Sequence, residues 1–328
     1  MIVKLFKGQQ PLVFIVLPLL ILGIWLGSAF NYFIIAADNG MPLYSIVASL
    51  VRTWPSWLLA VICAFLAGSQ CLHLNWILNK YEVLYRPSYL PALFFFIFSV
   101  FLPQFVIFHP MLLVNSIMLF FLERILRLYK NDSPLSIVFD SCLLVSLASL
   151  FYFPALLFGV LFFVTLTILK PFSWRDWVVG MMGLVMPYFF VFVIFFLDDQ
   201  LSGFKNMLTS TPLSDRIEMK NLIPSGYQVT AAVVSVLFIL SMLRLRSNFY
   251  KNDIKTRNYQ QVIVIFMITS VGCALATKEN MLFKLSILVI PLSVIVTNYF
   301  LTFKKNWLAE TLFLLLIATL IFNYWISY

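Results

Sequence analysis

The stretch PLVFIVLPLLILGIWLGSAFNYFII (residues 11–35) decides the fold of this chain. It carries no charged side chain and is longer than the roughly 20 residues that a helix needs to cross the hydrocarbon core of a bilayer. Lys4 and Lys7 precede it, as basic residues precede the core of a signal peptide. That core is only about 7–15 residues long, so the stretch is predicted to be a retained first membrane span.

The whole chain has the composition of a membrane protein. Hydrophobic residues make up 62% of it and charged residues 11%, with a mean hydropathy of +0.98, whereas soluble domains carry roughly 25% charged residues. We predict an all-α polytopic transmembrane helix bundle that forms a single integral membrane domain over residues 1–328. The predicted spans are about 11–35, 55–78, 88–106, 110–128, 134–152, 154–169, 177–197, 228–245, 261–277, 281–301 and 307–327.

Basic residues indicate the orientation of these eleven spans. Sixteen of the 22 lysines and arginines fall in every second connection, beginning with the N-terminus. Because cytoplasmic connections of membrane proteins are enriched in such residues, the N-terminus is predicted to be cytoplasmic and the C-terminus to lie outside. The basic residues that produce the net charge of +9 are therefore expected to set the topology and to contact anionic lipid headgroups. No nucleic-acid partner is expected. The cytoplasmic membrane is the expected location.

Two outer connections are more than turns. In residues 36–54, apolar side chains recur at helical spacing after Pro42, which predicts a short helix lying along the outer interface. Residues 198–227 form the one sizeable polar outer loop, with a short helix expected near 212–222.

Motifs of soluble enzymes and of metal sites are absent from the sequence. There is no HExxH, GxSxG, Walker A or Rossmann fingerprint, and the two histidines, His73 and His109, are far apart. The four cysteines lie inside apolar runs without paired spacing, which is typical of small buried hydrophobes. No cofactor is expected, and a divalent metal ion has no ligand cluster to support it.

Polar side chains inside the spans have two interpretations. Gln70, Asn115 and Ser116 must find partners within the bundle, which favours a role in tying helices together. Asp140 lies about 9 Å into the fifth span. Such an acid is a candidate for function, or it accepts hydrogen bonds from Ser141 or from an arginine of a neighbouring helix. Glu123 is expected to form a surface ion pair with Arg127, four residues later.

Residues 1–54 resemble the start of polytopic glycosyltransferases of the GT-C class. The shared order is a span from the cytoplasm, an acid in the first outer loop (here Asp38), an interfacial helix and then many spans with short loops. Lys278-Glu279 followed by MLFKLSILVIPLSVIVTNYF (281–300) is similar to a late GT-C span that begins with charges at the outer face and carries a mid-span proline. As a whole, the chain also resembles an uncharacterised family of bacterial multi-pass inner-membrane proteins.

The GT-C resemblance implies an activity and a set of site residues. Such enzymes transfer a sugar from a polyprenyl-phosphate donor to an acceptor on the outer face. Asp38 would be the catalytic acid, and Arg52, Lys278 or Lys284 would bind the phosphate. The next outer loop reads PQFVIFHP (103–110), with His109 where many GT-C enzymes have a second acid. His109, Asp140 and Glu279 complete the candidates.

Two other functions remain open at this point. A non-catalytic membrane subunit or lipid-binding scaffold in envelope assembly, with a membrane protein partner, fits the short loops and the sparse polar sites. A transporter would need Asp140 to face a cavity that reaches the midplane, and the 11 glycines offer few of the helix interruptions that transporters use.

Overall fold

A computed structural model describes residues 6–8, 13–30, 35–36, 41–84, 86–129, 134–199, 227–276, 282–303 and 306–327 of the chain. In this part the protein is all-α, with twelve α-helices. In chain order, α1 to α12 are Val13–Phe30, Pro42–Val51, Ser56–Lys80, Leu90–Ser99, Pro110–Arg127, Leu135–Phe151, Leu157–Leu169, Trp174–Leu197, Gln228–Asn248, Ile254–Leu275, Val289–Leu301 and Asn306–Ser327.

Six helical segments of the described residues are long and apolar enough to cross a membrane, which is the basis for describing this chain as a membrane protein. Each of the eleven predicted spans overlaps one of the twelve helices. Several helices are shorter than a full span, so the count of eleven and the placement of both termini stay predictions. The six long segments are Ser56–Lys80, Trp174–Leu197, Gln228–Lys251, Ile254–Leu275, Leu282–Leu301 and Trp307–Trp325.

The segment predicted as a span over 88–106 is not one continuous helix. Helix α4 is 10 residues long and rises only about 15 Å. Residues 100–109 continue as irregular backbone with a single 3₁₀ turn at Pro103–Phe105. Proline at 103 cannot donate an amide hydrogen bond, which favours this break. Most of these residues are buried in the protein.

Basic residues of separate connections meet at one end of the molecule, here called the basic end. Lys80 pairs with Glu123 at 3.3 Å, and Lys255 pairs with Glu82 at 3.0 Å. The Lys7 ammonium donates to the carbonyl oxygen of Phe303 at 3.2 Å. These contacts join the ends of α3 and α5, the connection after α3 with the start of α10, and the N-terminal segment with the residues after α11. Clustering at one end is what the alternation of basic residues along the sequence requires.

The interior of the bundle relies on close approach of small residues as well as on aromatic packing. A Cβ atom at Gly183 of α8 would lie 2.7 Å from the carbonyl oxygen of Phe139 and 2.9 Å from Cβ of Cys142 on α6. Small residues that bring backbones together are a common basis of helix packing in membranes. Helices α6 and α8 therefore form a tight pair.

Helix α2 confirms the helix that the sequence predicts after Pro42. Tyr44, Ala48 and Val51 face the protein, whereas Ile46 and Leu50 are 56% and 62% exposed. The exposed apolar residues are available to lipid, so a position along a membrane interface is consistent with the helix and stays a prediction. The predicted helix near 212–222 lies outside the described residues.

Candidate functional site

Two irregular segments meet beside the short stretch Ile35–Ala36, at the end opposite to the basic end. We call this place the junction; it consists of residues 35–36, 100–109 and the 3₁₀ helix Leu282–Leu288. The amide of Ala36 donates to the carbonyl oxygen of Phe108 at 2.8 Å, within an isolated parallel bridge between Ile35 and Phe108. Irregular backbone inside a membrane bundle is characteristic of places where such proteins bind ligands.

His109 holds the junction together through both of its ring nitrogens. It precedes α5, and its Nδ1 accepts the amide hydrogen of Leu112 at 3.1 Å, which caps the helix. Since Nδ1 accepts, the ring in its neutral form carries its proton on Nε2 and donates it to the carbonyl oxygen of Phe105, 3.3 Å away. Burial lowers the pKa of His109 to about 4. The imidazole is therefore neutral near pH 7 and has a positioning role.

Lys284 brings a cation into the same place. Its neighbour Phe283 stacks on the imidazole of His109, with ring centroids 5.5 Å apart and planes inclined by 16°. Lys284 itself is only 7% exposed. A buried ammonium group is costly unless anions or acceptors stabilise it, so Lys284 depends on the groups around it at the junction.

Hydrogen bonds between polar side chains and backbone fix the helices around the junction. Gln70 Nε2 of α3 donates to the carbonyl oxygen of Leu112 and to the hydroxyl of Ser116, each at 2.7 Å. Asn115 Nδ2 donates to the carbonyl oxygen of Ser286 at 3.1 Å. These contacts confirm that the in-span polar residues tie helices together, and they join α3 and α5 to the 3₁₀ helix.

Two buried polar atoms at the junction find no hydrogen-bond partner among the described residues. They are Oδ1 of Asn115 and the hydroxyl of Ser286, in side chains that are each 4% exposed. Buried polar atoms are nearly always satisfied in native proteins. Asn115 Oδ1 can only accept a hydrogen bond, whereas the Ser286 hydroxyl can donate or accept one.

The structure brings together some of the predicted site residues and separates others. His109 and Lys284 share the junction, whereas Asp38, Lys278 and Glu279 lie outside the described residues. Arg52 lies at the exposed C-terminal end of α2. Tyr44, near the other end of that helix, packs on Phe108 with ring centroids 6.2 Å apart. Eight residues of helix place Arg52 about 12 Å further along.

Asp140 belongs to the basic end of the molecule and not to the junction. One of its carboxylate oxygens lies 3.7 Å from Nη1 of Arg124 on α5, and its side chain is 45% exposed. An arginine of a neighbouring helix is thus its partner. Glu123 pairs with Lys80 and His73 of α3, so the expected pairing with Arg127 is wrong. Lys80 and His73 on α3 lie closer to the Glu123 carboxylate than Arg127 does, one turn further along α5.

The described residues do not form a metal site. Among them, no three His, Cys, Asp or Glu side chains are grouped so that they could hold a metal ion. The four cysteines are buried thiols without disulfide bonds. These side chains fit the prediction of small buried hydrophobes.

Sequence reasoning missed the roles of Phe283 and Ser286 at the junction. A continuous helical span was expected from residue 281, and the structure has a 3₁₀ helix up to Leu288. The one signal was Lys284 within an apolar run, followed closely by Ser286. A charge at that depth requires local polar partners.

Comparisons of the chain with known proteins do not assign this site to a family. No family model matches it, and no curated protein and no solved structure is significantly similar to it.

Proposed function

We propose that this protein is a GT-C-like integral membrane enzyme that transfers a sugar from a polyprenyl-phosphate donor at the junction, on the outer face of the cytoplasmic membrane. In this reaction the bond between the anomeric carbon and the phosphate oxygen breaks. The acceptor's hydroxyl oxygen forms the new bond to that carbon, and the proton of the hydroxyl passes to the carboxylate of Asp38. Polyprenyl phosphate is the leaving group.

The observation that carries the proposal is the meeting of three sequence-distant segments. The hydrogen bond between Ala36 and Phe108 brings the first outer connection to the segment that holds His109, and Phe283 stacks on His109 beside Lys284. Asp38 is two residues beyond Ala36, and two residues of extended chain span about 7 Å at most. The covalent chain therefore limits how far the acid can lie from Ala36 and from its contact with Phe108.

The chemistry of the junction suits a phosphate group. A lysine ammonium is a compact positive charge that binds phosphate well. The unpartnered hydroxyl of Ser286 can donate to a phosphate oxygen, and that residue lies two positions from Lys284 in the same 3₁₀ helix. Neutral His109 fixes the backbone on which the site is built.

Complementation of a deletion strain tests the proposal. The strain would carry the wild-type gene, Asp38→Asn or the matched control Asp140→Asn, at equal protein levels, and its envelope glycolipids and glycans would be measured by mass spectrometry. We expect the deletion to lose one glycan, which wild type and Asp140→Asn restore and Asp38→Asn does not. Full restoration by Asp38→Asn would show that the catalytic assignment is wrong.

A second candidate function is a non-catalytic membrane subunit in envelope assembly, and one surface favours it. Helix α8 exposes a groove of about 790 Å³ that includes Met181, Met182 and Met186. Methionine-rich surfaces adapt well to protein partners. If Met182→Lys abolishes complementation while Asp38→Asn restores every glycan, this function replaces the enzyme.

A further inference from the structure

The basic end carries a groove that the proposed reaction does not use. It lies between α9, the end of α11 and the start of α12, and has a volume of about 530 Å³. Four of its lining residues, Leu240, Leu243, Arg244 and Ser247, follow each other on one face of α9. The opposite wall includes Thr302 and Leu308.

The groove has a polar part centred on Arg244. Its Nε donates to the hydroxyl of Thr302 at 3.4 Å, which uses one of the five N–H donors of the guanidinium. The hydroxyl of Ser247, one turn further along α9, lines the same part. Four other basic residues at this end, Lys80, Arg124, Lys170 and Lys255, each pair with a carboxylate. No carboxylate of the described residues lies within ion-pair distance of Arg244.

The rest of the groove is apolar and open to the surroundings of the bundle. Leu240, Leu243 and Leu308 are 39%, 61% and 42% exposed. They extend from the polar part toward the centre of α9 and across to α12. A single ligand with a negative head and an apolar chain matches both parts.

We propose that this groove binds an anionic glycerophospholipid, whose phosphate contacts Arg244 and Ser247 and whose acyl chain lies on Leu240, Leu243 and Leu308. Basic grooves between membrane helices on the cytoplasmic side are suited to such headgroups. Because the groove lies at the end opposite to the junction, this lipid is separate from the polyprenyl-phosphate donor. The proposal of a lipid site can therefore fail or succeed independently of the proposed transferase activity.

Native mass spectrometry of the detergent-purified protein, titrated with phosphatidylglycerol, tests the proposal. The variants are Arg244→Gln and the matched control Arg246→Gln, which removes the same charge from an exposed position two residues along the same helix. A basic residue near anionic lipid contributes about 1 kcal/mol. We therefore expect binding at least about fivefold weaker in Arg244→Gln and unchanged in Arg246→Gln.

Two further titrations test which parts of the lipid are needed for binding. Phosphatidylcholine is expected to bind at least about fivefold more weakly than phosphatidylglycerol, and soluble glycerol phosphate is expected not to bind. Equal weakening by both arginine variants would indicate a diffuse charge effect and overturn the proposal. Unchanged affinity in Arg244→Gln, or equal affinity for glycerol phosphate, would also overturn it.

Discussion

At the residue scale, His109 determines how the junction is fixed. His109→Ala removes the acceptor for the Leu112 amide and the donor to the Phe105 carbonyl. Loss of a helix cap costs about 0.5–2 kcal/mol, and the uncovered buried carbonyl adds to this. We expect a lower unfolding temperature for His109→Ala, with most of it restored in His109→Asn because asparagine is a strong cap. Equal unfolding temperatures of wild type and His109→Ala would contradict this role.

The protonation of His109 predicts a pH dependence of stability. Burial lowers its pKa to about 4 in the folded protein, against an ordinary value of about 6.5 in the unfolded chain. Between these values the unfolded state binds the proton and the folded state does not, so stability is present above pH 6.5 and falls as the pH drops toward 4. The loss is at most about 1.4 kcal/mol per pH unit.

Unfolding of wild type and His109→Asn from pH 7 to pH 4.5 checks this dependence. Carboxylates titrate in the same range, and they are common to both proteins. The difference between the two stability curves therefore belongs to His109. It is expected to grow in favour of His109→Asn as the pH falls, and a constant difference would show that the histidine is not buried in its neutral form.

At the element scale, the contact between α6 and α8 has little tolerance for added volume. Gly183→Ala places a methyl group 2.7 Å from the backbone carbonyl oxygen of Phe139, and backbone cannot rotate away as a side chain does. Overpacking of this kind costs about 1–3 kcal/mol. Gly23→Ala on α1 is the matched control, since its added Cβ meets nothing within 4 Å.

Thermal unfolding in detergent distinguishes the two alanine variants. We expect Gly183→Ala to unfold at a lower temperature than wild type, and Gly23→Ala to unfold at the same or a higher temperature because alanine favours helix. A stable Gly183→Ala would mean that α6 and α8 are further apart than the structure has them.

Long apolar helices are the elements that the sequence predicts best. Their signal is composition averaged over about 20 residues, so α3, α8, α9, α10 and α12 follow from hydropathy alone. The 3₁₀ helix Leu282–Leu288 and the irregular residues 100–109 are as apolar as a true span, and hydropathy does not distinguish them from one. In both segments the α-helix is interrupted by packing around Pro103, His109 and Lys284. This packing involves residues that are far away in the sequence.

At the scale of the whole molecule, the basic end is expected to face the cytoplasm. Since the four native cysteines are buried, a new surface cysteine can be labelled with little background. Tyr250→Cys replaces a side chain that is 84% exposed and lies at the basic end, next to Phe249, whose ring contacts Arg257. Arg52→Cys lies at the exposed end of α2.

A membrane-impermeant thiol reagent applied to intact cells, after permeabilisation of any outer membrane, checks the orientation. We expect Arg52→Cys to be labelled directly and Tyr250→Cys to be labelled only after the cytoplasmic membrane is opened. The reverse pattern would invert the topology and place the junction in the cytoplasm, where a lipid-linked sugar on the outer face could not reach it.

The candidate site was predictable from the sequence only in part. His109 and Lys284 stand out because they are polar residues beside or within apolar runs, and the structure brings both to the junction. Arg52 and Asp140 stand out for the same reason, yet one lies at the far end of α2 and the other pairs with Arg124 at the basic end. Depth in the membrane is encoded locally in the sequence, whereas proximity across the bundle depends on the packing of all helices.

Binding of a short polyprenyl phosphate to the purified protein tests the central claim most directly. The parent for this test is Arg244→Gln, in which the basic-end groove is weakened. It would be titrated with farnesyl phosphate beside its double variants with Lys284→Gln or with the control Lys255→Gln, after thermal unfolding shows that each protein is folded. We predict saturable binding that Lys255→Gln retains and that Lys284→Gln weakens at least about tenfold, as loss of a charge-assisted hydrogen bond implies. Equal affinity in all three proteins, or no binding by the parent, would contradict a lipid-phosphate site at the junction.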